Sequence, residues 1–259
     1  MTPLTVLAVG ATGSIGRHVV TEAAAAGHRV RALLRSHDRA ALLPAGTVVV
    51  IGDVTRPETL TAALEGVDAV VITLGTDGQG KVGARTVDYE GVRNVLAAIG
   101  DARVRIALMT AIGVTDRTGR YNQTTEAHDW KRRSERLVRA SGHPYTIVRP
   151  GWFDYNSPDQ QRVVMLQGDT RHTGTPADGV IARRQIAQVL VGSLMSPTAA
   201  SKTFELVADV GPATTDLEPL FSELAPDRPG SLDGVADAGN MPVDAEPASV
   251  QAEISAALR

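Results

Sequence analysis

Short apolar segments alternate with longer helix-like segments over the first 151 residues of the chain. The segments between the apolar runs carry apolar residues at helical spacing, and several end near a glycine. Runs that are apolar throughout are typical of parallel strands with helices packed on both faces. The sequence therefore predicts an α/β fold of the Rossmann type, a doubly wound parallel sheet with helices on both faces. The six predicted strands lie at 4–10, 28–35, 47–53, 68–75, 104–110 and 144–151.

Beyond Gly151 the alternation loosens. We expect residues 1–151 to form a dinucleotide-binding core, and residues 152–259 to form a small C-terminal substrate-cleft region packed on it as one domain. The later segments predict a helix at 183–195, a strand at 202–208 and a last short helix at about 247–258. From Ala225 the chain is rich in Pro, Gly and Asp, which is typical of a mobile or surface-hugging tail.

The composition excludes several classes of function. The chain has no cysteine, so disulfides, cysteine nucleophiles and thiolate metal sites are excluded; we predict no metal site and favour a cytoplasmic location. A net charge of -3 without a long basic run argues against nucleic acid as a partner. The N-terminus lacks the basic region of a signal peptide, and no apolar run reaches the roughly 20 residues of a membrane helix. A small-molecule substrate is the expected partner, and a homo-oligomer stays open.

The segment GATGSIG at 10–16 joins the first predicted strand to the first predicted helix. In this context Gly10 turns the chain off the strand, Gly13 allows close approach of a pyrophosphate, and Gly16 lets the helix pack against the sheet. The N–H groups at the helix N-terminus then face the phosphates. The sequence therefore predicts a dinucleotide site, whose loop also includes Thr12, Ser14 and Ile15.

The end of the second predicted strand indicates which dinucleotide binds. An acid at this point would bind the ribose 2′-hydroxyl of NAD, but in VRALLRSHDRA the strand ends in Arg35 and Ser36, with Arg39 behind them. Arginine binds a 2′-phosphate by charge-assisted hydrogen bonds, so NADP(H) is favoured over NAD(H). Two alternatives stay open, because Arg35 can also be a solvated surface residue and Asp38 lies close by in the sequence.

Together with VDYEGVRNVL and YTIVRPG, these segments resemble the atypical short-chain dehydrogenase/reductases over about residues 4–208. The resemblance is to the NAD(P)H-binding subgroup that includes NmrA-like and biliverdin/flavin reductase-like proteins. It implies that an Asp after the third strand binds adenine, and that a proline-glycine turn after the sixth strand lies near the nicotinamide. The residues that it adds to the predicted cofactor site are Asp53, Val54, Leu74, Gly75, Thr76, Pro150 and Gly151.

The catalytic residues that this resemblance implies are incomplete. The superfamily carries a Ser or Thr near the end of the fifth strand, then a Tyr and a Lys four residues apart on the next helix. In EAHDWKRRSERL, Lys131 matches the lysine, which binds the nicotinamide ribose and lowers the pKa of the tyrosine. The tyrosine position, however, is Ala127. On the fifth strand Thr110 offers a hydroxyl, although Ala111 aligns with the usual serine.

Other side chains are candidates for the missing proton donor. His128 lies near Lys131 on the predicted helix, and imidazole has an intrinsic pKa suited to proton transfer. Tyr121 and Tyr155 lie in predicted loops near the cleft. Both Lys131 and His128 can also be read as solvated residues of a helix face.

We therefore hypothesise an NADPH-dependent reductase that transfers a hydride to a small conjugated carbonyl, a quinone or a flavin-like acceptor. Such acceptors spread the arriving negative charge and need little help from a protein acid. The candidate catalytic residues are Lys131, His128 and Thr110. One alternative is a non-catalytic NADP(H)-sensing regulatory protein, which the missing tyrosine favours. The other is an isomerase or epimerase with a tightly bound cofactor, which would need a strong acid or base.

Overall fold

Six parallel strands form the first part of the sheet in the computed structural model, which describes residues 2–76 and 78–258. Their spatial order is β3-β2-β1-β4-β5-β6, so the sheet grows in one direction from β1 and in the other from β4. This order confirms the predicted doubly wound Rossmann sheet. The strands are β1 (Thr5–Val9), β2 (Arg29–Leu34), β3 (Val48–Ile51), β4 (Ala69–Ile72), β5 (Arg105–Met109) and β6 (Tyr145–Pro150).

The C-terminal residues extend the same sheet. Four further strands follow, β7 (Trp152–Phe153), β8 (Arg162–Leu166), β9 (Val180–Ile181) and β10 (Lys202–Asp209). Strand β10 pairs in parallel with β6, while β8 and β9 pair with β10 in the antiparallel direction. The predicted strand at 202–208 thus becomes the neighbour of the last core strand.

Helices cover both faces of the sheet. Residues 84–89 form a π-helical turn, which leads directly into α4. Among the described residues, no helix has the length and apolar character needed to cross a membrane. The helices in chain order are α1 (Gly16–Ala25), α2 (Thr61–Leu64), α3 (Gly80–Gly83), α4 (Glu90–Ile99), α5 (Arg120–Thr125), α6 (Ala127–Ala140), α7 (Arg183–Ser193), α8 (Glu218–Glu223) and α9 (Ala248–Ala257).

The apolar strand sequences follow from burial on both faces. In β1, Val6 and Ala8 belong to an apolar cluster with residues of α1, α7 and α8. The alternating residues Leu7 and Val9 belong to a second cluster with residues of α2, α4 and α6. Successive strand side chains point to opposite faces, so a strand between two helical layers must be apolar at every position.

The C-terminal tail, residues 225–258, is fixed along α6. Its composition predicts a mobile or surface-hugging tail, and in the structure it packs against α6. Arg136 places Nη2 2.9 Å from both carboxylate oxygens of Asp233. Arg133 Nε donates to Glu246 at 2.6 Å, and both of these arginines are buried. The acidic tail thus neutralises arginines whose burial alone would cost several kcal/mol.

Candidate functional site

The predicted cofactor residues lie at one edge of the sheet. All except Lys131, which lies on α6, follow or end one of the parallel strands, and the carboxyl ends of parallel strands share an edge. The strand order reverses between β1 and β4, beside the glycine loop. Ligands of doubly wound sheets bind at this position, because the loops on either side diverge there.

The glycine loop depends on close backbone contacts. Gly10 has a φ of +86°, and a Cβ at this position would lie 2.8 Å from the Thr73 carbonyl oxygen. A Cβ on Gly16 would lie only 2.0 Å from the Gly10 carbonyl oxygen, so no side chain fits. Gly13 donates its N–H to the Gly10 carbonyl at 2.9 Å and tightens the turn.

The N-terminus of α1 is suited to an anion. It has no side-chain cap and no acidic residue in its first turn. The first N–H groups of a helix have no partner within the helix and carry partial positive charge. A glycine cradle followed by an uncapped helix N-terminus fits the pyrophosphate of a dinucleotide.

Arg35 and Ser36 follow β2, and both are exposed. The Arg35 guanidinium makes no hydrogen bond or ion pair with any described residue. Ser36 donates its hydroxyl to the Asp38 carboxylate at 2.9 Å. Within the part of the chain that the structure describes, Arg35 is therefore a cation without a partner at the strand end, and the acid Asp38 is bound to its neighbour Ser36.

Asp53 and Val54 follow β3. Asp53 Oδ1 accepts from both the N–H and the hydroxyl of Thr55 at 2.9 Å. The buried Asn94 donates its amide to the Val54 carbonyl at 2.7 Å, which ties this loop to α4. Gly91 packs against the same valine, because a Cβ there would lie 3.0 Å from Val54 Cγ2. The sequence does not reveal this role of Asn94, although the residue lies within the segment VDYEGVRNVL.

Lys131 reaches this edge from α6. Its Nζ lies 3.2 Å from Oδ1 of Asp88, and only 13% of its side chain is exposed. Asp88 is buried in the π-helical turn, and its Oδ2 accepts from the Thr76 hydroxyl at 3.0 Å. Thr76 follows Leu74 and Gly75 in the loop after β4. Asp88, which the sequence did not single out, thus joins that loop to the lysine.

The position of the missing tyrosine is filled by apolar packing. Ala127 is buried in a cluster with Ala84, Tyr89 and Trp130. The Tyr89 hydroxyl donates to Glu253 on α9, and burial raises its pKa far above the ordinary value. The Tyr145 hydroxyl likewise donates to a tail residue, Asp227. Neither buried phenol can therefore replace the absent one.

His128 lies beside an exposed phenol instead. Its ring centroid is 5.1 Å from that of Tyr121 on α5. Its Nδ1 is buried and has no hydrogen-bond partner among the described residues. Burial lowers the pKa of His128, and the charge of Lys131 lowers it further. A hydrogen bond with the Asp116 backbone and the charges of Asp169 and Asp116 act in the opposite direction and raise the pKa. The net direction is downward, so the neutral imidazole prevails at neutral pH.

Thr110 faces the protein interior. Its hydroxyl is buried and donates to Glu135 Oε1 at 2.7 Å. The same carboxylate accepts two hydrogen bonds from the Arg149 guanidinium, at 3.0 and 2.7 Å. Burial raises the pKa of Glu135, but the charges of Arg149 and Arg139 outweigh it and keep the group ionised. The hydroxyl of Thr110 is thus part of a buried ionic network and not of the crevice.

Pro150 and Gly151 end β6 with another close contact. A Cβ on Gly151 would lie 2.4 Å from the Gly179 carbonyl oxygen, so this turn admits only glycine. Two aromatic side chains follow it, Trp152 and Tyr155, whose rings meet edge-on at 6.0 Å. They are 36% and 63% exposed.

The aromatic segment is tied to the start of α7. Arg183 donates its backbone N–H to Asp154 Oδ1 at 3.0 Å, and its guanidinium also donates to this carboxylate. The pKa of Asp154 is lowered chiefly by the hydrogen bond from the Arg183 backbone. These contacts fix the segment between the two aromatic residues relative to α7.

This fold and edge define a class of nucleotide-binding protein. Residues 10–197 match the family described as NAD(P)H-binding, which is well over half of the chain. The chain belongs to this NAD(P)H-binding family. A nicotinamide dinucleotide is therefore its cofactor.

Three similar proteins illustrate the range of the family. The photosystem II assembly factor Ycf39 of Synechocystis sp. is 29% identical over 85% of this chain and 67% of its own length. Sanguinarine reductase of Eschscholzia californica is 28% identical over 85% of this chain and 96% of its own length. A solved structure from Bacillus halodurans, described as a candidate NAD-dependent epimerase/dehydratase, has a TM-score of 0.72 at 21% identity. It covers 85% of this chain and all of its own, and shows the shared fold.

Proposed function

We propose that the protein is an NADPH-dependent reductase that delivers a hydride to a conjugated or aromatic acceptor. The observation that carries this is the combination on α6: Lys131 is held at the cofactor edge, while the acid position is filled by the buried Ala127. A site that keeps the cofactor lysine but has no fixed phenol suits an acceptor that stabilises its own negative charge. When bound, NADPH supplies the hydride.

The preference for NADPH rests on Arg35. Its guanidinium has no carboxylate partner among the described residues and stands at the carboxyl end of β2. In this fold the adenosine ribose lies at that strand end. A 2′-phosphate would give the Arg35 guanidinium a charged partner. It would also offer the Ser36 hydroxyl a second acceptor besides Asp38.

Lys131 is proposed to hold the nicotinamide ribose. Its ammonium forms an ion pair with Asp88 at 3.2 Å, which fixes its position beside the loop after β4. An ammonium has three N–H donors, which suit it to bind ribose hydroxyls. Asp88 in turn is held by Thr76, and this chain of contacts ties the lysine to the loop after β4.

His128 is the proposed proton donor for acceptors that need one. It lies one position beyond Ala127 on α6, and its ring contacts that of Tyr121. Its Nδ1 has no hydrogen-bond partner among the residues that the structure describes, and the imidazole is the group proposed to exchange a proton with an acceptor or with a water. Thr110 does not enter this mechanism, because its hydroxyl is bound to Glu135.

The aromatic character of the acceptor is supported by Trp152 and Tyr155. Exposed aromatic rings next to the proline-glycine turn give a flat ligand a surface on which to pack. Sanguinarine reductase, similar over nearly its whole length, is named for an acceptor, and a comparable small-molecule acceptor is proposed here.

A second candidate is a non-catalytic NADP(H) sensor. The closed packing around Ala127 favours it, since a sensor needs no acid, and Ycf39 is named as an assembly factor. No comparable observation favours the epimerase alternative beyond the shared fold. The cytoplasmic location and homo-oligomerisation stay predictions from the sequence.

Steady-state turnover separates the reductase from the sensor. Purified protein is mixed with NADPH and a panel of quinones, flavins, iminium alkaloids and aromatic ketones, with saturated ketones as matched controls. The reductase predicts loss of NADPH absorbance with some conjugated acceptors and none with the saturated controls. Tight NADPH binding without oxidation by any acceptor would support the sensor instead.

A further inference from the structure

We propose that Asp169 is a positioning residue of the acid–base site, whose carboxylate fixes the Gly113–Thr115 loop against which the His128 ring packs. The proposal rests on His128 being the proton donor of the proposed function. Asp169 lies in LQGDT, outside the glycine loop, the strand ends and the α6 segment that predict the site. Nothing in the family match assigns it a role.

The Asp169 carboxylate is an acceptor for the loop after β5. Its Oδ1 accepts the Gly113 N–H at 2.6 Å, and its Oδ2 accepts the Thr115 N–H at 2.7 Å. The Thr115 hydroxyl donates to the same Oδ2 at 2.8 Å. Three short hydrogen bonds to a carboxylate that is 1% exposed fix the loop in one conformation.

The surroundings of Asp169 leave its charge without a strong counter-ion. Among the described residues no Lys or Arg pairs with it, and the nearest cationic candidate is His172, whose Nε2 lies 3.7 Å from Oδ2. The backbone N–H of Asp169 donates to Glu205 Oε2 at 3.1 Å. Burial chiefly, and the charge of Asp169 as well, raise the pKa of Glu205 to about 7. The negative charge of Asp169 therefore raises the pKa of the neighbouring Glu205 carboxyl group.

The fixed loop is also the surface beneath His128. A Cβ on Gly113 would lie 3.4 Å from His128 Cε1, so the imidazole rests on this glycine. The charged groups around the ring are Asp116 and Asp169 on the loop side and Lys131 on α6. Asp169 thus has two effects on His128: it holds the loop that supports the ring, and it stabilises the protonated imidazole.

The test is an NMR titration of His128 in the wild type and in Asp169→Asn, without cofactor or acceptor. Loss of the charge should lower the His128 pKa by roughly half a pH unit or more. Asp178→Asn is the matched control, because Asp178 is also buried and accepts loop N–H groups, at 2.7 Å from Thr173 and 2.8 Å from Gly174. The control should leave the His128 pKa unchanged.

A second variant covers the case in which Asp169→Asn fails to fold. Thr115→Val keeps the charge but removes the hydroxyl donor, so the Gly113 and Thr115 amides should exchange hydrogen faster, while the His128 pKa moves less than in Asp169→Asn. An unchanged His128 pKa in folded Asp169→Asn, or unchanged exchange in Thr115→Val, would overturn the proposal. Neither readout needs turnover, so a failure here is separate from a failure of the reductase assignment.

Discussion

The ammonium of Lys131 lies 3.2 Å from Oδ1 of Asp88, a buried carboxylate in the π-helical turn before α4. This contact turns the lysine away from solvent and fixes it at the crevice. Asp88 therefore positions Lys131, the lysine proposed to bind the cofactor, and loss of Asp88 should weaken cofactor binding.

Asp88→Asn should weaken NADPH binding about tenfold, because the lysine is then free to move; a tenfold change corresponds to about 1.4 kcal/mol. Lys131→Ala should weaken it at least as much. Fluorescence titration of NADPH measures both. The control is Lys81→Ala, since Lys81 forms an exposed ion pair with Glu126, and this variant should bind NADPH normally. Equal NADPH affinities in the wild type and the three variants would mean that Lys131 does not bind the cofactor.

Arg35→Ala should discriminate between the two nicotinamide cofactors. Loss of a charge-assisted contact with a 2′-phosphate should cost roughly 10- to 100-fold in NADPH affinity and leave NADH affinity nearly unchanged. Calorimetric titration with both cofactors measures the ratio. Arg29→Ala, which removes an exposed arginine from the other end of the same strand, is the control. Parallel losses for NADPH and NADH would contradict the 2′-phosphate assignment.

The pH dependence of turnover tests His128. Burial holds its pKa below 6.5, so the protonated form that donates declines as the pH rises through that lower value. For an acceptor that takes its proton from His128, turnover at saturating NADPH should therefore be higher at acidic pH and fall roughly tenfold per pH unit above the His128 pKa, until water takes over. His128→Gln should give a flat profile. His143→Gln, which changes a half-buried histidine just before β6 at the opposite edge, should keep the wild-type profile.

The tail should contribute strongly to stability through Arg149. Both Nη atoms of this fully buried arginine lie 2.7 Å from the carboxylate oxygens of Asp237. Burial alone would raise the pKa of Asp237, but its bonds with Arg149 keep it lowered. Asp237→Asn breaks this pair and should lower the free energy of unfolding by about 3 kcal/mol.

Urea denaturation measures this loss. The matched control is Glu58→Gln, because the ion pair of Glu58 with Arg56 is exposed and should be worth less than about 1 kcal/mol. A loss in Asp237→Asn no larger than that of the control would mean that the tail is only loosely held.

The sequence predicts the core of the fold because that information is local. Apolar strands and glycines at fixed spacing lie in contiguous stretches, so the six strands and the turn at Gly10–Gly16 follow without tertiary knowledge. Local sequence also predicts the helix that carries Lys131, and it shows that Ala127 stands where the tyrosine is expected.

The residues that support the site escape sequence reasoning because their partners are far away along the chain. Asn94 binds the Val54 carbonyl across 40 residues, and Asp169 binds the Gly113 N–H across 56. A buried carboxylate and a solvated one look alike in a sequence. For the same reason the Arg-rich face of α6 gave no sign that it lies buried beneath an acidic tail.

Transfer of deuterium from NADPH labelled at the nicotinamide C4 tests the central proposal most directly. The protein is incubated with NADPH that carries deuterium at both C4 positions and with conjugated acceptors that are reduced at carbon, and the product is analysed by mass spectrometry and NMR. A reductase predicts one deuterium on carbon in the product, present with wild-type protein and strongly diminished with Lys131→Ala. Labelled NADPH that binds tightly yet leaves no deuterium in any of these carbon acceptors, while none of the quinones or flavins oxidises it, would contradict the assignment.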